Sequence, residues 1–472
     1  VGRLTDIFGR KWFYIAGIAI FLLGSALAGL SQSMTQLIIF RGFQGVGGGV
    51  MMTTAFIAVG DLFPPSERGK YQGFLGGVFG LSSVIGPTLG GLVTDQLSWH
   101  WIFFINLPLG IPVIGLFIVY FPQARRSGRE HKLDYLGIGT LVLSVVPLLL
   151  ALSWGGTQYD WASGQVLGLL ALAGLMAAVF VVNETRAAEP IIPLSIFRYP
   201  VVRVSLLVGF LTGFGMFGTI IFIPLFFQGV LGSSATSSGS FLTPMMLALV
   251  AGGVLSGQAI SRFSGRQRQL GLSGIALMAL GFYLLSRMSI DTGNGMAVFN
   301  IVLMGFGLGV TLPVYTLAVQ NAVAYRFLGA ATSSIQFFRS LGGTLGLAVL
   351  GSVMTSRFAS EFAEGVPAQA AAAVPPAQLS ALAENPQALV DPAAQSRLRE
   401  LFDDIGPQGP AMMQQLTDGL RRALSNALNE IFLIILVVVC VAWVATIFLK
   451  EIPLEPGRPV EAPERALRKL FK

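Results

Sequence analysis

Residues 2–11 read GRLTDIFGRK, a decapeptide with glycines at 2 and 9, the acid Asp6, and the cations Arg3, Arg10 and Lys11. It runs directly into the apolar stretch WFYIAGIAIFLLGSALAGL at 12–30. A short charged connection abutting a long oily segment belongs at the edge of a bilayer, and composition agrees. The mean hydropathy is +0.72, and only 11% of residues are charged, against about a quarter in soluble domains.

Moving outward, apolar stretches of about twenty residues recur, each long enough to cross a ~30 Å hydrocarbon core as helix. About twelve are expected: 12–30, 37–59, 71–94, 101–121, 135–153, 164–183, 204–227, 239–260, 269–286, 297–319, 329–355 and 428–449. Ten-residue alternating strands are absent from the sequence, which argues against a membrane barrel. The expected fold is therefore an all-α membrane protein.

The net charge of +7 would point to nucleic acid in a soluble chain, but its distribution follows topology instead. With the opening loop inside, strict alternation places 22 of the 30 Lys and Arg on that same face. The positive-inside rule then makes the opening loop and the C-terminus cytoplasmic, in a multi-pass plasma membrane protein with lipid as its partner and no nucleic acid. Cys440 is the only cysteine, and His100 and His131 fall in opposite loops, so no metal site is expected. GFQGVGGG at 42–49 lies within an apolar helix with no strand before it, so close helix packing explains it better than a dinucleotide loop. No Ser/His/Asp or paired-carboxylate constellation can be assembled, so no enzyme is expected.

The opening decapeptide resembles the loop signature of the major facilitator superfamily through Gly2, Leu4, Asp6, Gly9, Arg10 and Lys11. LIIFRGFQGVGGG at 37–49 resembles the fourth-helix signature, with Arg41, Gln44 and Gly45 in register. GLSSVIGPTLGG at 80–91 is similar to the antiporter signature of the fifth helix through Gly80, Gly86, Pro87, Gly90 and Gly91. WHWIFFINLPLG at 99–110, LDYLG at 133–137, IPLFFQGVLG at 223–232 and FFRSLGGTLG at 337–346 narrow the resemblance to the 14-helix drug:proton antiporter branch, EmrB/QacA-like. His100 stands where that branch usually has Arg.

The resemblance implies helices 3 to 14 of a 14-helix transporter, an N-terminally incomplete chain whose proton-carrying carboxylate lies in the two preceding helices. Residues 1–121 then form a partial N-terminal bundle, 134–184 an extra helix pair, 203–450 the second six-helix bundle and 451–472 a cytoplasmic tail. GQAISRFSGRQR at 257–268 is a frayed echo of the opening loop, as an internal repeat requires. The Pro- and Ala-rich insertion 357–426 reads mainly as a solvated extracellular linker; helical spacing in MMQQLTDGLRRALSNAL leaves a cap or a periplasmic partner surface as the alternative.

The resemblance implies multidrug or amphipathic-metabolite efflux by proton antiport, with protons as the coupling ion and no other cofactor. An uptake symporter and a non-transporting scaffold or sensor are the alternatives. Arg41 and Arg339 lie within spans; each either couples to protons by holding a carboxylate charged or has a structural role, Arg41 snorkelling and Arg339 satisfied by Gln336 and Ser340. No span contains a deep Asp or Glu: Asp95, Asp134, Glu184 and Glu430 lie near ends. The opening loop is expected to latch as a cytoplasmic gate, Asp6 meeting the helix that starts near Gly329 with Thr332 and Ser333, unless it serves insertion alone. The glycines of 73–91 are expected to form a face against AGGVLSG at 251–257, as a seal or plain packing. The substrate cavity is expected from Gln44, Asn106, Phe214, Gln228, Tyr315 and Gln336, with Phe210, Phe217, Phe222, Phe226 and the methionine pairs 51/52 and 245/246 as adaptable walls.

Overall fold

The computed structural model describes residues 10–121, 134–156, 158–233, 235–262, 266–365 and 409–451, with positions 374, 375, 379, 382, 396 and 402 between the last two. Among these residues there are thirteen α-helices and no strands. They are α1 Arg10–Gly29, α2 Met34–Leu62, α3 Pro65–Gln96, α4 Trp101–Phe104, α5 Asn106–Tyr120, α6 Tyr135–Trp154, α7 Gly164–Arg186, α8 Pro200–Leu225, α9 Ala235–Arg262, α10 Gln267–Leu285, α11 Asn294–Ala322, α12 Leu328–Gly365 and α13 Gly409–Ile447. Ser33, Asp134 and Ser163 cap α2, α6 and α7 by accepting from backbone N–H groups three residues on. Prolines open α3 and α8, where a missing N–H costs nothing.

Among the described residues, eleven helical segments are long and apolar enough to span a membrane, with α4 and α5 counted together. The chain is thus a multi-pass membrane protein. α3, with 32 residues, is long enough to span as well. It supplies the twelfth expected segment.

The apolar core is unevenly distributed. One contiguous cluster of buried side chains runs from Ile196 to Leu449 and joins α8 to α13. In the first half, α5 has no buried residue, and buried side chains are few, such as Tyr14, Ile18 and Leu22 of α1 with Val50 and Ile57 of α2. α6 and α7 pack on one another, with Asn183 Nδ2 donating to Asp134 Oδ2 at 2.6 Å, and α6 rests on α12.

α12 and α13 have 38 and 39 residues, about 57 Å each, well beyond a ~30 Å core. Their protruding ends share a small apolar centre of Phe358, Phe362, Leu416, Leu420 and Leu424, joined by Val374, Leu382 and Phe402 of the insertion. Arg357 pairs with Glu430 at 2.8 Å, and Asn426 Nδ2 donates to Glu361 Oε2 at 2.6 Å. The described part of 357–426 is therefore a packed helical cap. Leucines and alanines at helical spacing from 416 bury one face there, as the cap alternative expects; most of 366–408 lies outside the described residues.

Candidate functional site

Helix directions define a basic end, where α1, α3 and α12 begin and α2, α9 and α11 finish. Gly2, Asp6 and Gly9 of the expected gate lie outside the described residues, and Arg10 enters only as the first residue of α1. Lys11 Nζ donates to the Ile118 carbonyl at 2.7 Å.

Around this end the two halves are tied by side chains that the sequence reading did not single out. Gln320 Nε2 of α11 donates to the Phe56 carbonyl of α2 and to Thr332 Oγ1 of α12, both at 3.2 Å. Arg68 of α3, only 5% exposed, donates to the Phe63 carbonyl at 3.1 Å and to Asn321 Oδ1 at 3.4 Å. Asp61 is buried in the last turn of α2, two residues past the expected span. The helix start at Leu328 does face the first half, since a methyl at Gly60 would stand 2.9 Å from Leu328 Cδ2. Ser333 bonds only within its own turn, to the Ala330 carbonyl.

α3 crosses the interface and lies along α9. Gly69 and Gly257 face each other, each one's Cβ position blocked by the other's carbonyl oxygen. A methyl at Gly73 would meet the Gly253 oxygen at 2.7 Å, and Gly77 and Gly80 pack on Val250. Only small residues allow backbones this close. The expected glycine face thus divides. Gly69, Gly73, Gly77 and Gly80 form the contact with α9, whereas no described atom lies within 4 Å of where a Cβ would stand at Gly76, Gly86, Gly90 or Gly91. The side chain of Pro87 lies outside the described residues.

Within the first half, Arg41, Gln44 and Asn106 come together through Ser25. Arg41 Nη1 donates to Gln44 Oε1 at 2.6 Å, and its guanidinium lies 5.8 Å from the centre of the Phe103 ring. Gln44 Nε2 and Asn106 Nδ2 both donate to Ser25 Oγ, at 2.9 and 3.0 Å, and Ser25 Oγ donates to the Phe103 carbonyl at 2.8 Å. A hydroxyl has one proton and two lone pairs, so Ser25 is fully used and every bond in the chain has a fixed direction. Because Gln44 must point its amide nitrogen at Ser25, its oxygen faces Arg41. Gly24 makes this possible: a Cβ there would lie 2.5 Å from the Gln44 nitrogen, so α1 and α2 touch at their backbones. His100 stacks on Trp99 at 3.8 Å and takes no part.

In the second half Arg339 is inside the protein, 7% exposed, with Nη1 donating to Gln336 Oε1 at 2.9 Å. Ser340, its other expected companion, is exposed. Phe210, Phe214 and Phe217 of α8 are partly exposed; the Phe210 and Phe214 backbones abut Gly342 and Gly346, and the Phe217 ring abuts Gly343. Gln228 sits in a π-helical turn, Phe226–Val230, at the end of α8. Tyr315 is 1% exposed, its hydroxyl 2.7 Å from Thr446 Oγ1 inside the second half. Phe222, Phe226, Met245 and Met246 are likewise core residues rather than free walls. No cluster of three or more potential metal ligands exists among the described residues.

A multi-pass helical protein whose two halves pack together through α3 and α9, with arginines within its spans, has the build of a membrane transporter. A model of the Major Facilitator Superfamily matches residues 1–133 and 135–347, and the chain belongs to that superfamily. It is a transporter rather than an enzyme. It is 40% identical to the multidrug transporter protein MdtP of Bacillus subtilis over 98% of this chain and 85% of that one. It is 37% identical to multidrug resistance protein 3 of the same organism over 95% and 84%. The fold matches the human organic anion transporter MFSD10 at TM-score 0.55 and 14% identity, over 93% and 79% of the two chains. It matches the proton:xylose symporter XylE at TM-score 0.51 and 13% identity, over 76% and 82%.

Proposed function

We propose that this chain exports small amphipathic molecules by proton-coupled antiport, as a member of the 14-helix drug:proton antiporter branch in a bacterial plasma membrane. The basic end is cytoplasmic, and the halves rock about the contact of α3 with α9. The observation that carries this reading is the seam between the halves, where the backbones of α3 and α9 touch at Gly69, Gly73 and Gly257. Two rigid bodies in contact along a smooth small-residue seam can rock against one another, as alternating access requires. The names of the bacterial relatives support drug export.

Coupling is assigned to Arg41. Its guanidinium is held by an oriented hydrogen-bond chain, and a fixed cation lowers the pKa of a carboxylate brought beside it, favouring proton release. Energised inverted membrane vesicles test the reading. They should accumulate an amphipathic dye, and a protonophore should abolish the accumulation. Dye uptake that survives the protonophore rules out proton coupling, and uptake confined to right-side-out vesicles reverses the direction of transport.

A further inference from the structure

The environment of Arg339 calls for a group that is not supplied by the described residues. Its Nη1 is bound to Gln336 Oε1, which fills that oxygen's role and leaves two buried donors, Arg339 Nε and Gln336 Nε2, without any acceptor. Gln336 is 6% exposed and Arg339 7%. No carboxylate is seen to pair with Arg339 among the described residues. The helix's own carbonyls are committed to its ladder, and the Ser340 hydroxyl is turned outward. An uncompensated guanidinium within a membrane protein is costly and conforms to function by default. Neighbouring side chains add a second property: Phe217 packs against Gly343, one turn beyond Arg339, and Phe214 lies against Gly346.

We propose that Arg339 and Gln336 form a binding site for an oxyanion, the carboxylate of an amphipathic substrate whose apolar body lies against Phe214 and Phe217. The planar guanidinium and the neighbouring amide offer two unpaired N–H donors, and a carboxylate has two oxygens to accept them. This rests on the export reading above and names its substrate class; it gives Arg339 to the substrate and leaves the proton to Arg41. A free inorganic anion has the same acceptor chemistry, and the test separates the two.

The purified full chain is titrated with naphthalene-2-carboxylate, with the isosteric naphthalene-2-carboxamide, and with chloride alone, binding being read by intrinsic tryptophan fluorescence and thermal shift. The carboxylate should bind at least tenfold more tightly than the amide. Arg339→Gln should erase that preference, and Arg339→Lys should retain part of it. Equal binding of the two probes by the unmodified protein overturns the proposal without any variant having to fold. Retention of the preference in Arg339→Gln also overturns it. Chloride stabilisation with no preference for the carboxylate overturns the substrate assignment in favour of an inorganic anion. Inverted vesicles keep the two readings apart: export of a cationic dye with neither naphthalene probe bound leaves antiport standing and removes the anion site. Absence of all export removes antiport, while the titration still decides the site.

Discussion

Arg41 and Arg339 invite comparison, since each lies in a spanning helix and each donates to a glutamine within one turn, at 2.6 and 2.9 Å. Around Arg41 the glutamine's amide nitrogen continues to Ser25 and onward to a carbonyl, so the chain is complete. Around Arg339 the chain stops at the glutamine, whose nitrogen has no acceptor. The difference follows packing. Ser25, Gln44 and Asn106 link three helices of the first half, whereas Gln336 and Arg339 lie beside the apolar cluster of the second. A polar residue that completes a network stabilises it, whereas one left open inside a dense core is kept for another purpose.

The contrast can be attacked where the effects are largest. Gly257→Leu drives a side chain into the Gly69 carbonyl, so export should fall by more than tenfold and stability by about 1–3 kcal/mol. Gly90→Leu enters open space and should leave the melting temperature unchanged, yet stall transport once that end has to close. Vesicle export alongside thermal denaturation of both variants decides this, and equal destabilisation would mean that the two ends of α3 are not different.

Next in size, Arg339→Met removes an unpaired buried cation and should leave stability equal or higher while transport is lost. Arg41→Met breaks a completed chain and should lower both. Ser25→Ala leaves the buried Gln44 amide nitrogen without its acceptor at a cost of about 1–3 kcal/mol, while Asn106 Nδ2 keeps the Phe103 carbonyl at 3.3 Å, and Ser25→Thr should restore much of the loss. A melting curve unmoved by Ser25→Ala would show that the chain around Arg41 does not hold the first half. Smallest is Arg357→Ala, which breaks an exposed ion pair in the cap and should change stability by about 0.2–1 kcal/mol, diminishing with salt.

Much of this was legible in the residues. Apolar run lengths pointed to the spanning helices, and the cost of a cation in lipid picked out Arg41 and Arg339, the latter with Gln336 beside it; the bond of Arg41 to Gln44 was not foreseen. Ser25 was not visible, because a serine in an oily run has no spacing signal and its role depends on a third helix brought beside it. The same is true of Gln320 and Arg68, whose partners are more than two hundred residues away for Phe56 and Asn321. The glycines of α3 read as one face, since period alone cannot tell where a neighbouring helix diverges. In the insertion, proline and alanine content masked a helix that had already declared itself through Leu416, Leu420 and Leu424.

α12 carries Thr332 near one tip, Arg339 along its length and Phe362 near the other tip, on one unbroken rod of 38 residues. At ~57 Å, a tilt of about 10° pivoting at the Thr332 tip sweeps the opposite tip sideways by about 10 Å. Leverage of this kind makes the protruding knob outside the bilayer a mechanical readout of the interior: a fluorophore there would report each stroke of the machine, and a weight clamped to it would stop the cycle.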